Sequence, residues 1–123
     1  MKSFIAACVA LALTVAAGIA SSVVICRTAD GLSKMAEALP PPGEALADGA
    51  DALKRIDGIG SFWEGKRGAA SVFVGEREAA AVTAAVGSLR AAVLSGDAGE
   101  YGSAREALLA AARDLRFVAR FGV

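Results

Sequence analysis

The chain has 123 residues with 13 basic and 13 acidic side chains, so its formal net charge is zero. This length allows one small domain, and the balanced charge gives no electrostatic reason to bind nucleic acid. The sequence contains no His, no Asn and no Gln, so it lacks the commonest general base and metal ligand. We therefore expect no enzyme, no cofactor, no metal site and no small-molecule substrate.

The first element is an uncharged apolar run from Phe4 to Cys26, with Lys2 before it and Arg27 after it. As a helix, its 23 residues measure about 35 Å, enough to cross a hydrocarbon core of about 30 Å. The run predicts a single transmembrane helix, with residues 1–27 as the anchor and the lipid bilayer as its first partner. We expect a cell-membrane protein with its N-terminus inside and its helical domain extracytoplasmic.

A cleaved signal peptide is the alternative interpretation of this run. Lys2 gives a short positive segment, and residues 16–18 or 18–20 are small enough to form a cleavage site. The apolar stretch of a signal peptide is typically about 7–15 residues long, and this run continues past both sites to Cys26. The length favours the uncleaved anchor, whereas cleavage would release a secreted helical protein.

One face of the run carries small residues at every fourth position, namely Ala6, Ala10, Thr14, Gly18 and Ser22. Small residues at this spacing let two transmembrane helices approach closely. An Ala-rich segment also produces such rows by chance. The row predicts a packing face for a second copy of the chain or for another membrane protein.

Residues 28–43 are predicted to connect the anchor to the helical domain. Pro40, Pro41 and Pro42 end any preceding helix, because a run of prolines cannot continue one. The domain is then expected to occupy residues 44–123. Before the prolines, a short amphipathic stripe is formed by Leu32, Met35, Ala36 and Leu39.

The first domain segment, from about Glu44 towards Lys66, is predicted to be helical, with several glycines weakening it. Each glycine in a helix costs about 1 kcal/mol relative to Ala. We expect a kink or a break near Gly65–Gly68, with one long bent helix as the alternative. Its predicted core residues, spaced as in a helical seam, are Leu46, Leu53, Ile56 and Trp63.

Two further helical segments follow, at about residues 69–95 and 100–120, with a predicted turn at Gly96–Gly99 between them. Apolar residues recur in both at spacings of three and four, which is typical of amphipathic helices. The predicted core residues are Val82, Val86, Leu89, Val93, Leu108 and Leu115. The sequence therefore predicts an all-α fold, a transmembrane helix followed by a small antiparallel helical hairpin or three-helix bundle.

A possible nucleotide motif lies within the first domain segment. Residues 60–66 match the glycine and lysine spacing of a phosphate-binding loop. Arg67 stands where Ser or Thr would reach magnesium, and no strand precedes the motif. The match is therefore not expected to bind nucleotide.

Several features together resemble an uncharacterised family of short bacterial proteins, a domain of unknown function. The matching positions are the Phe4–Cys26 run, Trp63, Lys66, Phe73, Glu76, the Leu89–Val93 helix end, the Gly96–Gly99 turn and Phe121. The resemblance implies a single-pass membrane protein with a Trp-containing helical hairpin and no known activity. The family carries a His near the Glu76 position, and this chain has none.

These observations predict a non-catalytic, membrane-anchored helical protein. Its expected role is that of an interaction or accessory module, either for another membrane protein or in a homo-oligomer. Release as a secreted helical protein after signal cleavage stays open as the alternative.

Overall fold

The computed structural model describes the chain from Lys2 to Phe121, apart from the side chains at 18–22, 73 and 119–121. These residues form no strand, and the predicted all-α class is confirmed. The five helices of the described chain are α1 (Lys2–Glu37), α2 (Pro42–Ala47), α3 (Gly49–Val74), α4 (Glu76–Ser95) and α5 (Ala98–Phe121).

Helix α1 passes from an exposed half into the core. It is a single 36-residue helix, about 54 Å long. Its described side chains from Lys2 to Ala17 are exposed, whereas one face of its second half is buried and packs against α5 and α3. The buried residues of this face recur at spacings of four and three: Ile25, Ala29, Leu32, Ala36 and Leu39.

The predicted connector therefore differs from what the structure shows. Residues 28–37 are not a spacer but the last turns of α1, and they form one wall of the core. We call the second half of α1, from Ile25 onward, together with α2 to α5 the bundle. The domain thus includes residues that the sequence assigned to the region before it.

Glycine at position 31 allows α1 and α3 to pack closely. A Cβ atom at Gly31 would lie 2.8 Å from Cζ of Phe62, closer than nonbonded carbon atoms approach each other. The Phe62 ring is partly buried against the core and occupies the space that a side chain at position 31 would need. This contact holds α3 beside the second half of α1.

Arg105 on α5 caps the end of α1. Its Nε donates to the carbonyl oxygen of Ala36 at 3.0 Å, and its Nη2 donates to that of Glu37 at 3.2 Å. The last carbonyls of a helix have no partner within the helix, and a positive charge there also favours the helix dipole. The side chain thereby joins the end of α1 to α5.

The proline segment is also held by α5. The Tyr101 hydroxyl donates to the carbonyl oxygen of Pro40 at 2.8 Å. Burial raises the pKa of this hydroxyl above its usual 10.0, while the nearby charges of Arg105 and Arg55 oppose that shift. As predicted, no helix runs through the prolines, but Pro42 begins α2, because proline suits the first position of a helix.

The first domain segment consists of two helices rather than one. Asp48 lies between α2 and α3, and its side chain accepts a hydrogen bond from the backbone N–H of Asp51 at 3.2 Å. This is an N-cap, which satisfies an otherwise unpaired donor at a helix start. The long helix α3 therefore starts at Gly49, and Leu46 belongs to the separate short helix α2.

The predicted break near Gly65–Gly68 is wrong. Helix α3 continues through both glycines and ends at Val74, because packing on its buried face outweighs the local cost of glycine. The break falls instead at Gly75, whose φ of 100° favours glycine strongly.

Helices α4 and α5 pack against each other and are joined by Gly96 and Asp97, a shorter turn than the predicted Gly96–Gly99. Gly96 has a φ of 74°, in the left-handed region that ends many helices. The Asp97 side chain accepts from the backbone N–H of Glu100 at 3.0 Å, which caps the start of α5. The link is short, so the end of α4 lies close to the start of α5.

Gly31→Leu should destabilise the protein by about 1–3 kcal/mol, because the new side chain would displace the Phe62 ring and separate α1 from α3. Thermal unfolding of the detergent-solubilised full chain, followed by circular dichroism, measures this. Gly58→Ala is the control, since its Cβ would have nothing within 4 Å and should stabilise by up to about 1 kcal/mol. Equal melting temperatures for the two variants would contradict the close α1–α3 contact.

Candidate functional site

The exposed half of α1 is the most unusual surface of the described chain. Its large apolar side chains are all more than half exposed, up to 73% for Phe4. Fully burying such a side chain is worth about 1.5–3 kcal/mol, so this half of the helix requires an apolar environment. The residues concerned are Phe4, Ile5, Val9, Leu11, Leu13 and Val15.

By length and composition, one helix of the described chain could cross a membrane, and it is α4, Glu76–Ser95. Within residues 1–27, the described apolar helix is shorter and runs from Lys2 to Ala17, because the side chains at 18–22 are not described. About a third of α4 is buried, and it packs between α3 and α5. The core helix of a soluble domain meets the same criteria as a membrane span.

The described part of the small-residue row lies on the exposed half of α1. Ala6, Ala10 and Thr14 are all exposed, and Gly18 and Ser22 lie outside the described side chains. The Thr14 hydroxyl donates to the carbonyl oxygen of Ala10 at 2.9 Å. Its hydrogen is thus bonded within the helix, so Thr14 is compatible with an apolar environment.

The predicted core residues are distributed over three helices of the bundle and short α2. Leu53 and Val86 are partly buried and pack against the core, while Leu46 on α2 is half-buried. The remaining predicted core residues are buried: Ile56, Trp63, Val82, Leu89, Val93, Leu108 and Leu115.

Sequence reasoning missed the contribution of α1 to this core. Leu32, Ala36 and Leu39 were recognised as a stripe but were assigned to a connector. The spacing that could have identified them begins earlier, at Ile25 and Ala29, and continues through the stripe in steps of four and three. Because Ile25 also lies within the apolar run, the start of the helical repeat was hidden in the predicted membrane segment.

Trp63 is a core residue, since only 1% of its surface is exposed. Its indole Nε1 donates to the hydroxyl oxygen of Thr83 on α4 at 2.9 Å. Thr83 in turn donates to the carbonyl oxygen of Ala79 at 3.3 Å. The hydrogen bond satisfies a buried N–H group and joins α3 to α4.

An open groove of about 390 Å³ lies beside this contact, between α3 and α4. Its walls are apolar at Ile56 and Val86, and the ion pair between Asp57 and Arg90 lies at its edge. Within the described residues, no group of three or more His, Cys, Asp or Glu side chains could hold a metal ion. The described residues that line the groove therefore include no such metal-binding group.

Comparison of the chain with known protein families, curated proteins and solved structures finds no match. The resemblance to an uncharacterised bacterial family therefore stays a prediction.

Thr83→Val should destabilise the bundle by about 1–3 kcal/mol, because it leaves the buried N–H of Trp63 without an acceptor. Chemical unfolding followed by circular dichroism measures the change in both backgrounds, since Trp63 is the only tryptophan. In a Trp63→Phe background the same substitution should cost much less, since no indole N–H remains there. A cost that is equal in both backgrounds would show that the hydrogen bond does not contribute to stability.

Proposed function

We propose that α1 anchors this protein in a cell membrane over Phe4–Cys26, and that the bundle acts by contact rather than by catalysis. Its partner is another membrane protein or a second copy of the chain. The observation that carries the proposal is the exposed, uncharged, apolar half of α1. In water this surface would be unfavourable, whereas lipid is an apolar environment of the required thickness.

The division of α1 into two halves supports this assignment. The exposed half includes Phe4 to Ala17, and among the described side chains the first buried one is Ile25, one residue before the end of the apolar run. Helix α1 is continuous through this point. The bundle would therefore begin where the hydrocarbon core ends, with Arg27 at the level of the lipid headgroups.

The small-residue row supports a helix partner within the membrane. Ala6, Ala10 and Thr14 lie on one face of α1 and present no large side chain. Close packing of helix backbones is a main source of helix association in lipid, where the hydrophobic effect no longer acts. We propose that this face contacts either a second α1 or a helix of another membrane protein.

A non-catalytic role is proposed because the commonest general base is missing from the sequence and both thiols lie in the apolar run. The chain has no His, and its two cysteines, Cys8 and Cys26, both lie in the apolar run. The described carboxylates of Asp30, Asp51 and Asp57 form ion pairs at the surface of the bundle. Such surface pairs contribute little to stability.

The secreted alternative also has an observation in its favour. Among the described side chains of α1, those buried in the bundle begin at Ile25, and both candidate cleavage stretches, 16–18 and 18–20, precede that residue. Cleavage there would leave the buried face intact. The two functions therefore differ in what happens to the exposed half of α1.

The intact protein should stay in the membrane pellet after an alkaline carbonate wash, and its mass should correspond to the uncleaved chain. Leu13→Arg should release it, because an arginine at the centre of a transmembrane helix costs about 2.5–3.5 kcal/mol on insertion. Leu94→Arg is the control, since Leu94 is exposed on the bundle and the variant should remain in the pellet. A soluble product that starts near residue 21 would contradict anchoring and support secretion.

Ala10→Ile should weaken association of the α1 segment in a two-helix membrane reporter, because a larger side chain separates the helix backbones. Ala12→Ile makes the same chemical change on the opposite face of the helix and should leave the reporter unchanged. Equal effects of the two substitutions, or no association of the unaltered segment, would show that the row is not a packing face.

A further inference from the structure

Two contacts determine which positions of α1 and α3 lie side by side. The Nη1 of Arg55 donates to the carbonyl oxygen of Ala38 at 3.1 Å, and the Phe62 ring lies against Gly31. From the first contact to the second, the residue number rises along α3 by the same amount as it falls along the other chain segment. The helices are therefore antiparallel and keep the same register between these two contacts.

Continuing this register along α3 leads past the membrane boundary. By this extrapolation, Lys66 and Arg67 are level with the end of the apolar run. Val72 lies five positions after Arg67, which is about 8 Å further along a helix. The end of α3 thus lies at the end of the bundle that faces the apolar part of α1.

Helix α5 gives the same orientation independently. The ion pair between Arg116 and Asp30, at 3.2 Å, places the C-terminal part of α5 beside the first turns of the buried half of α1. Helices α4 and α5 leave the turn at 96–97 together, so Glu76 and Phe117 both lie about 30 Å from it. The start of α4 and the exposed Phe117 are therefore at the same end of the bundle, next to the predicted membrane.

The segment at this end is apolar. Residues 68–75 contain no charged side chain, and they are followed directly by Glu76. Val72 is 76% exposed, the largest value among the large apolar side chains described. Lys66 and Arg67 are exposed just before the segment, where their cationic ends can reach lipid phosphates while their stems stay near apolar surface.

We propose that residues 69–75, which we call the tip, insert their exposed side, at Val72, into the headgroup region of the same bilayer that α1 crosses. The occupant of this surface is lipid, because the tip lies at the end of the bundle from which the apolar part of α1 emerges. Together, α1 and the tip give the bundle two points of attachment and hold it at one orientation to the membrane. This inference rests on the proposed anchoring by α1.

Depth-dependent fluorescence quenching tests the proposal on the full chain in vesicles of phosphatidylcholine and phosphatidylglycerol. Cys8 and Cys26 are first replaced by Ala, and one new cysteine then carries an environment-sensitive dye. The test position is Val72→Cys. Leu94→Cys is the matched control, since it is also an exposed apolar residue but lies near the far end of α4.

Nitroxide groups attached to lipid headgroups should quench the dye at position 72 several-fold more than the dye at position 94. A third variant, Leu13→Cys, reports on anchoring itself and should be quenched by nitroxides in the middle of the acyl chains. Circular dichroism verifies that all three labelled chains keep their helical content.

The outcomes separate the two proposals. Quenching at position 13 with equal, weak quenching at 72 and 94 would overturn insertion of the tip and leave the anchor in place. No quenching at position 13 would overturn the anchor and the tip together. Strong shielding of position 72 in lipid-free detergent, with cross-linking between chains through that residue, would show that a second copy covers the tip and would also overturn the proposal.

Discussion

Burial of one face of α1, from Ile25 to Leu39, is the interaction on which the arrangement of the other helices depends. Helices α5 and α3 both pack against this part of the chain. Arg105 fixes α5 to the end of α1, and the absence of a side chain at Gly31 lets Phe62 hold α3 close. Helix α4 then completes the bundle by packing against both α3 and α5.

Small side chains form much of the core, so a few larger groups determine how the helices match. Trp63 and Tyr101 are the largest of the fully buried side chains, and each donates a hydrogen bond to a different segment. Among the described residues, no buried side-chain nitrogen or oxygen lacks a partner. In an Ala-rich core with little apolar volume per residue, these hydrogen bonds favour one arrangement over other packings of similar area.

Local periodicity was enough to predict the helices near the C-terminus. Val82 and Leu89 on α4, and Leu108 and Leu115 on α5, lie in rows spaced by three and four, and all are buried. The core face of α1 was not predicted because the hydropathy of a side chain does not show whether it contacts protein or lipid. Ile25 is apolar enough for either environment.

The glycines were misjudged for a different physical reason. Helix propensity is a local average, so Gly65 and Gly68 resembled a break, although packing of the buried face carries α3 through them. The real break at Gly75 depends on a positive φ that only the complete fold reveals. The apolar run of α1 was likewise found from the sequence. How much of α1 is exposed, and that Val72 is exposed, could not be predicted, because both depend on where the bundle begins and ends.

The continuity of α1 has a mechanical consequence. A transmembrane helix whose apolar length exceeds the local bilayer thickness tilts to bury its length. No break separates the exposed half of α1 from the half that forms the core, so a tilt of one half is a tilt of the other. Glu37, the last residue of α1, lies about 15 Å beyond Arg27 along the axis, so under the proposed anchoring a change in membrane thickness would displace the whole domain sideways.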